Sequence, residues 1–269
     1  MEQHKILTFE GRKIHYRDEG RDNPQTLVLL HGFLQNLDVW SSYTLSYMRS
    51  MRVITIDLPG HGYTDTFSDV HTMDFMARIV KAVLDHAGVD QCVMVGHSMG
   101  GYVALAFADQ YPYMLRGLGL IHSHALADTE ESHQRRLNDC EQAKQNRAGY
   151  IINFIPNLFD DSHKMELDHE IKDLQAQCLE TEEKSIRAAQ MGMSQRPSRV
   201  NVLCNSNFPI MFIFGKNDPR LPVELAVTQA MMAKKAEIHI LDGVAHMAHL
   251  EMAEYVKLRL MNFVNTCYF

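Results

Sequence analysis

No stretch of the 269 residues approaches the roughly 18 consecutive apolar positions that a membrane-crossing helix needs, so no membrane span is expected. The first residues, Met1-Glu2-Gln3-His4-Lys5, run directly into a strand-like pattern without the apolar centre of a signal peptide, and a cytoplasmic location is expected. Neither charge sign gathers into a long block. The net charge of -7 is spread over both halves, so there is no basic track for a phosphate backbone and a nucleic-acid partner is not expected. Cysteine is sparse: Cys92, Cys140, Cys178, Cys204 and Cys267 are odd in number and never stand as Cys-x-x-Cys. That excludes a disulfide framework or zinc knuckle as a natural reading and leaves five free packing thiols. There is no internal repeat and no low-complexity tract.

What is present is 46% hydrophobic sequence broken into short runs, enough for one compact α/β unit with or without an inserted sub-domain. Residues 6–9 and 13–16, joined by Glu10-Gly11, alternate as a hairpin does. Runs at 26–30, 52–56, 92–97, 115–121, 209–214 and 237–241 are continuously or largely apolar and of strand length, as expected for strands of a mostly parallel sheet. Helical patterns separate them over 38–49, 72–87, 222–234 and 250–264, with Gly88 at a C-cap position and Pro222 at a helix start. Between 122 and 207 the chain is polar and helical with no convincing core strand. The expected architecture is therefore an α/β doubly wound sheet built from 1–121 and 208–269, with 122–207 as a helical cap inserted after the sixth core strand.

One run ends in chemistry. Cys92-Val-Met-Val-Gly96-His97-Ser98-Met99-Gly100 passes from an apolar strand through a serine flanked by glycines into an alanine-rich helix, which makes Ser98 a candidate nucleophile on a strand-to-helix turn. A serine hydroxyl is a weak nucleophile at neutral pH and needs a base, and the base needs a group that fixes its tautomer. Asp218 and His246 follow two later strands, in the order Ser, Asp, His. Asp128, near the end of the 115–121 strand, is an alternative acid. His249 is an alternative base, expected instead in the first turn of the closing helix or at the surface.

In these motifs the chain resembles the α/β-hydrolase fold family, in its capped esterase and lipase branch. Gly96-His97-Ser98-Met99-Gly100-Gly101 resembles the family's elbow, His31-Gly32-Phe33 its oxyanion loop, and Asp57-Leu-Pro-Gly-His-Gly62 its loop after the next strand. Gly215-Lys-Asn-Asp218 resembles the acid turn, and Gly243-Val-Ala-His246 with Glu251 the histidine loop. Two features depart: Ala245 stands where a glycine is usual, and a proline common downstream is missing. The resemblance implies a serine hydrolase that cleaves carboxylic esters through an acyl-enzyme, with Ser98 as nucleophile, His246 as base and Asp218 as acid. It further implies an oxyanion hole from the backbone N–H groups of Phe33 and Met99, and no cofactor.

Lactone or C–C bond hydrolysis on the same triad, and a ligand receptor that keeps a hydrolase pocket, are the competing functions. The apolar run Tyr150–Phe159 is expected to face the cleft. With His97, it supplies the expected substrate pocket of Ile151, Phe154, Ile155 and Phe159, suited to a small to medium ester with an apolar acyl or alcohol group. His122-Ser123-His124 and His133 form a histidine cluster expected to line the cleft mouth or to pack between strand and cap rather than to hold a metal. An oligomer is neither implied nor excluded.

Overall fold

The computed structural model describes residues 4–269. Glu10 and Gly11 both take positive φ, 49° and 76°, the geometry of a tight two-residue hairpin turn, and join β1 (His4–Phe9) to β2 (Arg12–Glu19). The buried runs, exposed only at Arg116 of β6, then follow as β3 (Thr26–Leu30), β4 (Arg52–Ile56), β5 (Cys92–His97), β6 (Leu115–Ile121) and β7 (Ile210–Gly215), with the half-covered β8 (Ala236–Leu241) at the edge. They form one eight-stranded sheet in the order β1-β2-β4-β3-β5-β6-β7-β8, antiparallel through β2–β4 and parallel from there on. Parallel strands buried on both faces need continuous apolar runs, which is why these segments lack the alternation of the hairpin.

Helices cover the two faces. On one, α1 (Ser41–Tyr47) packs below Leu27, Leu29, Val93 and Val95. On the other, α2 (Met73–His86) and α3 (Met99–Gln110) bury Ile79, Val83, Val103 and Phe107 against Val28, Leu30 and Met94. Thr72 caps α2 through its side chain, which accepts the Phe75 N–H, and Gly88 ends it at φ 69°.

Five helices fill the stretch between β6 and β7: α4 (Glu130–Gln145), α5 (Arg147–Phe154), α6 (Asp168–Cys178), α7 (Glu183–Ser194) and α8 (Val200–Asn205). Their apolar stripes pack inward, with Ile171, Leu174 and Cys178 of α6 and Ile186, Ala189 and Met193 of α7 all buried. α9 (Val223–Ala230) joins β7 to β8, and α10 (Ala248–Glu251) and α11 (Ala253–Tyr268) close the chain, α11 burying Val256, Leu260 and Phe263 on the α1 side.

All five cysteines are free, but only Cys92 and Cys178 are buried and Cys204 is exposed, so the packing role does not extend to that residue. Among the described residues, no helix is long and apolar enough to cross a membrane.

Candidate active site

Ser98 sits between the C-terminal end of β5 and the first turn of α3, at φ 50° and ψ -115°. An L-residue reaches this region only under about 1–3 kcal/mol of strain, so surrounding contacts must impose it. They do: the Ser98 N–H donates to the Ile121 carbonyl at 2.9 Å, and Ser123 Oγ donates to the Ser98 carbonyl at 2.9 Å. The turn is also tight enough to forbid side chains beside it. A Cβ on Gly96 would lie 2.3 Å from the Gly100 backbone, and one on Gly100 would lie 2.4 Å from the Leu30 carbonyl oxygen.

Two loops at the same end of the sheet meet the serine. His246, after β8, places Nε2 2.9 Å from Ser98 Oγ and directs Nδ1 at Asp218, 2.8 Å from Oδ2 and 3.0 Å from Oδ1. Asp218, after β7, is saturated. Oδ1 accepts the backbone N–H groups of Arg220 (2.7 Å) and Leu221 (3.2 Å), while Oδ2 also accepts His122 Nδ1 at 2.7 Å. Burial alone would raise this carboxyl, but interaction with His246 and the hydrogen bonds from His122 and His246 outweigh it and hold Asp218 far below the usual carboxylate range. His122 itself takes φ 47°, and burial lowers its pKa despite the neighbouring carboxylate.

Glu251 fixes the histidine loop. Its carboxylate accepts the N–H groups of Ala245 and Met247, which flank His246, and the Asp160 N–H of the segment between β6 and β7 at 2.9 Å. The His246 N–H donates to the Leu158 carbonyl at 2.9 Å, so the same loop is tied twice to that segment. Glu251→Gln turns an amide N–H toward at least one of these donors. It is expected to cost about 1–3 kcal/mol of stability and to lower kcat by about tenfold, measured by thermal melting and ester turnover; an unchanged kcat would show that His246 holds its place without this carboxylate.

The loop after β3 brings Phe33 to the cavity. His31 anchors it as a neutral ring, Nδ1–H donating to the Gly32 carbonyl (2.8 Å) and Nε2 accepting the Leu58 N–H (2.9 Å), and burial lowers its pKa accordingly. Gly32 donates to Gln35 Oε1 at 2.8 Å, and a Cβ there would stand 2.6 Å from His97 Nδ1. His97, driven well toward neutrality by burial and by its histidine neighbours, donates from Nε2 to the His246 carbonyl at 2.9 Å. The Met99 N–H opens α3 and, like the first donors of any helix, has no intrahelical acceptor.

A cavity of ≈ 80 Å³, room for a handful of waters, lies over Ser98. Its walls include Phe33, His97, His246 and Phe154. Ile151, Ile155 and Phe159 do not line it. They are at most 3% exposed and pack in the apolar core, because on α5 and the turn after it the burial of these side chains outweighs any exposure to a cleft. In their place stand polar groups that sequence reasoning did not place there, among them Arg135, Arg136 and Asp139 of α4, Gln190 of α7, and Arg220.

The structure also places Asp128, His249 and the histidine cluster, of which His122 and His124 line the cavity. Asp128 is committed elsewhere, bound by Arg136 Nε at 2.6 Å and by Arg196, so the acid beside His246 is Asp218. His249 is fully buried, not superficial, with its ring 4.2 Å from that of His97 and 5.0 Å from that of Trp40. Of the histidine cluster, His122 binds Asp218 and His124 faces Tyr102 and Arg196. The described residues close enough to share a cation are His122, Asp218 and His246, whose facing atoms are already hydrogen-bonded to one another.

A component of the acetoin cleaving system of Pseudomonas putida, a dihydrolipoyllysine-residue acetyltransferase, is 28% identical over 94% of this chain and 67% of its own. A 2-hydroxy-6-oxononadienedioate/2-hydroxy-6-oxononatrienedioate hydrolase of Paraburkholderia phymatum is 25% identical over 94% of this chain and 91% of its own. The solved structure of a thermophilic esterase from Thermogutta terrifontis, malate bound, superposes with a TM-score of 0.91 at 26% identity, covering 99% of this chain and 100% of that one. The family model described as alpha/beta hydrolase fold matches residues 25–253, and with the sheet order and the turn at Ser98 it makes this chain a member of the alpha/beta hydrolase fold family.

Proposed function

We propose that the protein is a serine hydrolase that cleaves carboxylic esters of small molecules through an acyl-enzyme. The observation that carries this reading is the unbroken relay from Ser98 Oγ through His246 to Asp218, with contacts of 2.9 Å and 2.8 Å. Ser98 Oγ attacks the ester carbonyl carbon while His246 Nε2 takes its proton, and Asp218 stabilises the imidazolium that forms. The tetrahedral oxyanion is held by the Phe33 and Met99 amides. In comparable sites, loss of one such donor lowers turnover by about 100- to 1,000-fold. His246 then protonates the departing alkoxide. A water, deprotonated by the same imidazole, attacks the acyl-enzyme, releases the acid and restores Ser98. In this reading 122–207 acts as a cap over a core of 1–121 and 208–269, and no cofactor takes part.

A fluorophosphonate probe is expected to modify the protein once, on the peptide containing Ser98, and to abolish hydrolysis of p-nitrophenyl esters. Labelling at another residue, or esterase turnover that survives complete labelling, would end the reading.

One observation favours a second reading. The Paraburkholderia phymatum relative acts, by its name, on a hydroxy-oxo dienedioate, so C–C bond hydrolysis on the same three residues calls for a direct assay. A panel of esters, lactones and vinylogous diketo acids ranks the chemistries by kcat/KM.

A further inference from the structure

The α4 helix and the loop after β7 bring to the Ser98 cavity cations that the hydrolytic relay does not use. Arg136 is paired: with Arg196 it clasps Asp128, two guanidiniums on one carboxylate. Arg135 and Arg220 are different. Both line the cavity, both are half-buried, and among the described residues neither guanidinium has a carboxylate within salt-bridge distance. Arg220 is nevertheless held firmly. Its backbone N–H is bound by Asp218 Oδ1 at 2.7 Å, and its guanidinium lies 4.7 Å above the Phe154 ring, which in turn meets Phe33 edge-on at 5.7 Å.

The remaining acid of the wall, Asp139, offsets at most one of these two charges. Its carboxylate accepts one hydrogen bond, from the Gln190 amide at 3.2 Å, and burial raises its pKa above the ordinary value although the neighbouring arginines oppose the shift. Burial also lowers His97 and His122 of this wall, and takes His124 down to about 3. Burial and the like charges of Arg135 and Arg136 pull the Arg220 guanidinium down from its ordinary value, although the Asp139 charge opposes them, so an arriving anion would relieve the site. A planar guanidinium fixed on an aromatic face in a narrow cavity is suited to bind a carboxylate through paired hydrogen bonds.

We infer that Arg220 and Arg135 form an anion subsite, and that the substrate opened at Ser98 is a short ester carrying a free carboxylate, such as the half-ester of a dicarboxylic acid. The inference rests on the ester-hydrolase reading for what happens at Ser98, but the binding it asserts can be read without turnover.

Calorimetry measures that binding directly, with glutarate and its uncharged counterpart glutaramide as probes. Glutarate is expected to bind the wild-type protein at least tenfold more tightly than glutaramide, and Arg220→Gln and Arg135→Gln should each reduce the difference. For turnover, kcat/KM is compared between monophenyl glutarate and its methyl ester, and between 4-acetoxybenzoate and its methyl ester, which place the charge on the acyl and alcohol sides in turn. Preference for the charged member of either pair is expected, and Arg220→Gln should reduce the ratio by roughly 10- to 100-fold, as loss of a charge-assisted hydrogen bond does. The milder Arg135→Gln, on the half-exposed face of α4, keeps the test valid should Arg220→Gln fold poorly. No hydrolysis of any ester, with the glutarate selectivity intact, would overturn the ester reading and leave the subsite standing. Equal binding of glutarate and glutaramide, or equal kcat/KM within both pairs, would overturn the subsite.

Discussion

Ser98→Ala is expected to lower kcat for any ester that the wild type hydrolyses by on the order of 10⁶-fold, with little change in melting temperature. The size follows from the removal of the attacking atom: His246 and the Phe33 and Met99 amides remain, but without Oγ they can only polarise a carbonyl toward water. The small change in stability follows from the backbone. Ser98 is held at φ 50° by the Ile121 and Ser123 contacts, which involve its main chain and survive the substitution. The same geometry makes a second outcome specific. Ser98→Gly removes the hydroxyl equally but also the Cβ that opposes this φ, and should melt about 2 °C above Ser98→Ala. Residual turnover of the alanine variant above about one per cent of wild type, an order-of-magnitude limit set by what binding alone supplies, would sink the nucleophile assignment. A glycine variant that melts below the alanine one would sink the strain account.

The fold and the relay were legible in the sequence for a common reason: close packing leaves little choice of residue. β3, β4, β5 and β7 are covered on both faces, so their residues had to be apolar without alternation, and Gly96 and Gly100 stand where a Cβ would strike backbone. The pocket was not legible, because side chains of α4 reach it only through the way α4 lies on α7. Arg135, Arg136 and Asp139 belong to a helix whose sequence is polar almost throughout, and nothing in its pattern separates a cavity-facing arginine from a solvated one. The apolar run of α5 misled for the opposite reason: its composition identified residues that must be covered, and the core covered them better than a substrate could. His249 shows the same competition. Its place near a helix start suggested the surface, whereas His97 and Trp40 enclose it. Partnership across 96 residues, as between His122 and Asp218, leaves no local trace at all.

That partnership sharpens the second large effect, the exchange of Asp218 for asparagine. The four donors around the carboxylate leave no orientation in which a carboxamide fits. With its oxygen in the place of Oδ2, the carboxamide would accept from His122 and His246 but press its NH₂ against the N–H groups of Arg220 and Leu221. Turned over, it would satisfy those two amides and present NH₂ to both Nδ1 atoms. Each imidazole would then have to carry its proton on Nε2, and His246 would donate toward Ser98 where it must accept. The first orientation leaves a buried donor clash worth about 1–3 kcal/mol of stability, and the second removes the base. Because the relay needs the lost tautomer, Asp218→Asn is expected to lower kcat by on the order of 10⁴-fold near neutral pH. His122→Asn separates the two partners of Oδ2: His246 keeps its acceptor, so the loss should be no more than about tenfold, the share of one supporting hydrogen bond. Both are measured as kcat on the best ester of the panel, with melting curves alongside. If Asp218→Asn loses no more than His122→Asn, Asp218 is not the group that holds His246 for catalysis.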